Sequence, residues 1–181
     1  MGRFGNLAGV RTNGSGIYFE QGDYDVRIDK IKFNDDTRTG EDAFIIETTV
    51  VRSDNPTRAP GCKPSQVITL KKQYLETCLG DVKQFVGAML EIEDPDSYNE
   101  PIDVVDQITA QQMGCDLQTA ANNRFWEQAI DMLCSEENPG RGTLIHVNCT
   151  IRPGKKDPTK SFTKHVWGPV LQTASDDTVA F

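Results

Sequence analysis

The hydrophobic period of this chain changes twice along its length, and that change limits the folds open to it. Tyr24, Val26 and Ile28 alternate with Asp25 and Arg27, the period of two that marks a half-buried strand. The phase then slips by one residue, because the next apolar positions are Ile31 and Phe33. A slip of one implies an extra residue near Asp29, a bulge that bends the strand. Residues 42–51 are β-branched and aromatic, and residues 65–70 repeat the strand pattern. The period then lengthens. Val82, Phe85, Val86, Met89 and Leu90 fall on one helical stripe, with Asp81 in the first turn, where a negative charge suits the dipole. Residues 102–108 read as a short helix, and Leu117, Ala121, Phe125, Ala129, Met132 and Leu133 trace a longer one. Period two returns at 143–151 and 162–167. The pattern predicts strands near 23–33, 42–52, 65–71, 143–152 and 162–168, with helices between 74 and 135.

A chain of 181 residues suits one domain with a real core. Residues 1–16 are rich in Gly, Asn and Ser and are expected to form a flexible arm. Residues 17–170 are expected to form the domain, and 171–181 a tail. No run approaches the roughly 18 apolar residues of a membrane span, and the first residues lack a secretory apolar stretch, so a soluble, intracellular protein without membrane contact is expected. The five cysteines are odd in number and widely spaced, which favours reduced thiols over a disulfide framework. His146 and Cys149 would face opposite sides of a strand, so no metal site is expected.

The net charge of −8 is unevenly placed. Residues 91–137 carry twelve acids and a single base, Arg124, a net of −11. Residues 138–168 carry six bases against Asp157, a net of +5. An anionic partner would therefore meet the flanking segments and avoid the middle.

Three strands, a helical segment and a two-strand hairpin resemble the OB-fold, a five-stranded, partly open Greek-key barrel. The expected fold is thus mainly β with an α insert: an OB-fold-like barrel with a helical insertion between strands 3 and 4. The resemblance implies a ligand face on strands 2 and 3 and on the 1–2 and 4–5 loops, where oligonucleotides bind. Those surfaces carry Lys30, Lys32, Arg38, Arg52 and Lys71, and then Arg152, Lys155, Lys156, Lys160, Phe162, Lys164 and Trp167. Cations track a phosphate backbone, and exposed rings stack on unpaired bases for roughly 1–3 kcal/mol each. For Phe33, Phe44 and Phe162 burial in the core is the competing expectation, and for Trp167 it is plugging of the barrel end.

The strings GDYDV at 22–26, RTGEDAFIIE at 38–47, VRSD at 51–54, GCKPS at 61–65 and GDVKQFV at 80–86 are similar to a family of bacteriophage single-stranded DNA-binding proteins. That resemblance implies sequence-independent binding of single-stranded DNA, with RNA as the alternative ligand, in phage replication or recombination within the cytoplasm of an infected bacterial host. The tail ASDDTVAF at 174–181 resembles the acidic, Phe-terminated tails that recruit replication or recombination proteins, which would assign Asp176, Asp177 and Phe181 to partner binding. A second copy of the chain, forming a homo-oligomer, is a further candidate partner. No phosphate loop, HExxH, nucleophile elbow or kinase signature is present, so neither catalysis nor a cofactor is expected. Two alternatives stay open: a virion structural or assembly protein, and a metal-dependent nuclease using carboxylates such as Asp23, Asp25, Glu41, Asp42 or Glu47.

Overall fold

The computed structural model describes residues 17–36, 41–154, 159 and 161–170. Five strands and three helices follow in order: β1 (Gly22–Asp36), β2 (Glu41–Ser53), β3 (Ser65–Thr69), α1 (Leu75–Met89), α2 (Val104–Met113), α3 (Leu117–Cys134), β4 (Leu144–Pro153) and β5 (Ser161–Gly168). The strands form one antiparallel sheet in the order β3-β2-β1-β4-β5. The helices all lie between β3 and β4, as the change of period predicts. Among the described residues strand and helix take nearly equal shares, 35% and 34%.

β1 organises the sheet because it pairs with both β2 and β4. Ile28 lies opposite Thr48 and Lys30 opposite Glu47, which leaves Asp29 as the extra residue of a bulge. The phase slip in the sequence marks this bulge. A second irregularity sets Asp25 opposite Arg52 and Val26 opposite Val50, so here Val51 on β2 is the extra residue. Two bulges in one ladder increase local twist and bend the pair.

The bent sheet buries one face, and on β2 it buries Ala43 and Ile45 of the other face as well. Tyr24, Val26, Ile28 and Ile31 of β1 meet Phe44, Ile46 and Val50 of β2 and Ile145, Val147 and Cys149 of β4. α1 closes over them with Val82, Phe85 and Val86, and α3 adds Ala129 and Leu133. Phe85 is fully buried and meets Phe44 and Trp167 edge to face, with ring centroids 5.9 and 5.1 Å apart. Emptying such a position costs about 3–5 kcal/mol.

The curl brings the two edge strands together without pairing them. The Trp167 indole N–H of β5 donates to Gln66 Oε1 of β3 at 2.8 Å. Phe19 packs edge to face on Tyr24, His165 and Trp167, and Ser65 N–H donates to the Ile17 carbonyl at 2.8 Å. β3 and β5 are nonetheless not neighbours in the hydrogen-bonded sheet, so the sheet stays open between them.

The insert is built from capped helices. Asp103 caps α2 and forms a reciprocal capping box with Asp106, and Gly114 ends the helix at φ 66°, in the left-handed region that favours glycine. Asp116 caps α3 by accepting from Thr119 N–H. The short helix anticipated at 102–108 runs instead from Val104 to Met113, because the Asp103 cap and Gly114 set its ends.

Burial of His165 beside Phe19 holds its pKa down to about 4, against an ordinary value of 6.5. Between pH 6.5 and 4 the unfolded chain takes up a proton that the folded chain refuses, so stability falls as pH drops through that window. The loss approaches roughly 3 kcal/mol. His165→Leu is expected to remove this dependence, as read by chemical denaturation at pH 7, 5.5 and 4.5.

Candidate nucleic-acid interface

Side chains directly opposite each other on antiparallel neighbours share a face. Arg152 lies opposite Phe162 and Thr150 opposite Lys164. In the same alternation Asp25 lies opposite both His146 and Arg52. The intervening positions Ile145, Val147 and Cys149 are in the core, so this set points away from it. Beyond the Asp29 bulge, Lys30 and Lys32 flank the buried Ile31 and therefore point outward as well. Of the sequence-predicted residues, Lys30, Lys32, Arg52, Arg152, Phe162 and Lys164 thus share the outer face of the sheet. Lys71 lies just beyond β3, where its N–H donates to the Thr69 carbonyl.

Trp167 is placed differently. It is 5% exposed, on the inner face, with its ring between Phe85 and Phe19 and its N–H satisfied by Gln66. As a core residue it offers no free ring for stacking, because three elements already occupy its surface. Phe44 is in the core, whereas Phe33 and Phe162 are exposed. Arg38, Lys155, Lys156 and Lys160, and the tail residues Asp176, Asp177 and Phe181, lie outside the described residues.

The outer face is not uniformly basic. Lys32 Nζ pairs with Glu47 at 2.5 Å, and Arg52 Nε with Asp25 at 2.5 Å. His146 sits between two carboxylates, with Nδ1 2.8 Å from Asp25 and Nε2 3.3 Å from Asp23. Burial pushes the Asp25 carboxyl upward, but hydrogen bonds from Arg52 and His146 outweigh it and hold it below the ordinary value. Two of the expected phosphate contacts, Lys32 and Arg52, are therefore already neutralised. Among the described residues no carboxylate lies within ion-pair distance of Lys30, Lys71, Arg152 or Lys164.

The gap between β3 and β5 gathers part of the predicted set. A cavity of about 630 Å³ there is lined by Lys71, Phe162 and Lys164, together with Tyr18, Val67 and Asp81. Tyr18 is 55% and Phe162 53% exposed, so both rings offer a face to a ligand. The sequence reading missed Tyr18 and Asp81. Tyr18 reaches this place through the pairing of residue 18 with Ser65, which no local pattern announces. Desolvation raises the Asp81 carboxyl, opposed by the charge of Lys164. Glu91 and Glu93 lie elsewhere, in a cavity with Trp167 and Pro169 at the far end of β5. Phe162 and Trp167 are five residues apart on that strand, about 16 Å.

Other chemistry is weakly supplied. All five cysteines are unpaired, and burial pushes the Cys134 and Cys149 thiols up to about 11 and about 12, which suits packing and not nucleophilic attack. Among the described residues no group of three or more His, Cys, Asp or Glu side chains is arranged to hold a metal ion, and no helix is long and apolar enough to cross a membrane.

Asp25→Asn is expected to cost about 1–3 kcal/mol at pH 7, because Arg52 and His146 lose their shared anion. The Asp25 carboxyl is depressed in the folded chain, so its contribution is present above the unfolded value near pH 3.9 and is lost as pH falls through the folded value. The variant should therefore approach wild type in stability at the acid end of a denaturation series.

No known family model matches the chain, and no curated protein sequence matches it, so the residues and geometry above carry the functional reading.

Proposed function

We propose that this chain binds single-stranded DNA without sequence preference, on an OB-fold-like barrel left open between β3 and β5. The observation that carries the reading is the cavity in that gap, where Lys71 and Lys164 accompany the exposed rings of Tyr18 and Phe162. Two cations and two rings are what an unpaired strand requires, since the phosphates need charge and the bases need a flat apolar face. The strand order β3-β2-β1-β4-β5 and the bent β1 suit the barrel, and the Trp167 to Gln66 bond draws its two edges together.

Lys30 and Arg152 on the outer face extend the path away from the cavity. Arg38, Lys155, Lys156 and Lys160 belong to the same proposal from the sequence, since the OB-fold resemblance implies ligand binding by the 1–2 and 4–5 loops. The phage resemblance adds the setting: replication or recombination in the cytoplasm of an infected bacterium, with Asp176, Asp177 and Phe181 of the tail contacting replication proteins.

Asp81 is the one carboxylate among the cavity residues named above, and it opposes phosphate. Its removal separates charge from shape. Fluorescence titration with single-stranded and duplex oligonucleotides is expected to show single-strand binding nearly independent of base identity, with affinity falling with salt by about 0.7 log units per phosphate contacted. Duplex should bind much more weakly, because its bases are already stacked. Replacing Lys71 and Lys164 by Ala should flatten the salt slope by about 1.4, the loss of two contacts. Phe162→Ala should weaken binding at an unchanged slope, and Asp81→Asn should tighten it. Equal affinity for duplex, or a double-lysine variant that binds as wild type does, would sink the proposal.

A further inference from the structure

α2 is packed the wrong way round for a helix on the surface of a finished protein. Its buried positions are Asp106 and Ala110, four residues apart and hence on one stripe. Asp106 is completely buried, with its carboxylate held by Arg124 of α3, Nε to Oδ1 at 3.0 Å. A buried carboxylate is tolerated only when it is paired in this way. The opposite stripe carries Val104, Val105 and Ile108, which are 78%, 56% and 59% exposed. Ile102 before the helix and Leu117 after it are exposed as well. An amphipathic helix normally turns such side chains inward and its charges outward. Here the ion pair to α3 fixes the reverse orientation and leaves a contiguous apolar stripe in water. Stripes of this kind mark interaction surfaces.

The charge at its ends states what can cover it. The segment 97–123, which contains α2, has no Lys or Arg, and three of its four acids, Glu100, Asp103 and Asp116, are outside the core. The nearest base, Arg124, is engaged by Asp103 and Asp106. Exposed Asp103 and Asp116 stand at the two ends of α2, capping α2 and α3. A second copy docking through the same face would set acid against acid, and a nucleic acid or an anionic membrane would be repelled.

We propose that the Val104–Val105–Ile108 face of α2 is a docking surface for a basic amphipathic segment of a protein partner. The partner's apolar side chains cover the stripe, and its Lys or Arg residues meet Asp103 and Asp116, the arrangement of helix-in-groove recognition. The site is separate from the cavity between β3 and β5, so the same molecule can hold a nucleic acid and a protein.

The probe is a synthetic 18-residue peptide with Leu at helical i, i+3, i+4 and i+7 spacing and Lys at the other positions, titrated by fluorescence anisotropy against the full chain. The controls are a peptide with Glu in place of Lys and a scrambled Lys/Leu peptide. The Lys peptide is expected to bind at least tenfold more tightly than either control and to weaken with salt. Val104→Asp combined with Ile108→Asp is expected to lose that binding by tenfold or more, with thermal unfolding and the single-stranded DNA titration unchanged. Val104→Ser with Ile108→Ser repeats the measurement with a milder change, should the acidic pair disturb folding. The proposal is overturned if the three peptides bind alike, or if the double variants bind as wild type does. It is also overturned by a concentration-dependent dimer in sedimentation that Ile108→Asp abolishes, since a second copy would then cover the face. A tenfold gain in peptide affinity on deleting residues 1–16 would overturn it in favour of the chain's own arm. The peptide and sedimentation readouts do not depend on whether DNA binds.

Discussion

The position of Trp167 is the constraint on which the rest of the molecule depends. It sits at the end of β5, yet it contacts α1 through Phe85, the entering chain through Phe19 and the opposite sheet edge through Gln66. A sheet of five strands whose edges do not pair would otherwise be free to flatten. A buried indole that satisfies its N–H on the far edge strand holds the curl, since an unmet buried donor costs about 1–3 kcal/mol. The curl in turn makes one face concave enough for α1 and α3 to fill. It also leaves a gap between β3 and β5 large enough to form a cavity.

Charge follows the same division of labour. The sheet's outer face neutralises part of its own basic character through Lys32 with Glu47 and Arg52 with Asp25. Among the described residues, Lys71 and Lys164 beside the gap, Arg152 on β4 and Lys30 on β1 are left without a carboxylate in ion-pair distance. The acids of 91–137 are carried by the insert, which faces the core through α1 and α3 and presents α2 outward. In the two proposals above, an anionic ligand and a cationic partner therefore use different parts of one small molecule.

The fold was legible in the chain wherever a period was clean. Tyr24, Val26 and Ile28 marked β1, and the slip to Ile31 and Phe33 marked the Asp29 bulge, because a register change must move every later side chain to the other face. Val82, Phe85 and Val86 marked the buried stripe of α1. Legibility failed where apolar and aromatic residues have two uses. Trp167 and Phe162 lie on the same short strand and both looked like stacking platforms. Their alternation alone sets them on opposite faces, but which face is covered depends on helices far away in sequence.

The sequence by itself determined the order of strands and helices, the bulge in β1, the buried stripe of α1 and the uneven distribution of charge. Each of these is a local property, set by side-chain period or residue type. Only the tertiary structure decided that Tyr18, Lys71, Phe162 and Lys164 line one cavity, that Trp167 belongs to the core, and that α2 turns Asp106 inward and Val104 outward. These outcomes rest on contacts between residues separated by as many as 148 positions, as in the ring contact of Phe19 with Trp167. Such pairs are chosen by the free energy of closing the whole sheet over one core, which no window of the sequence contains.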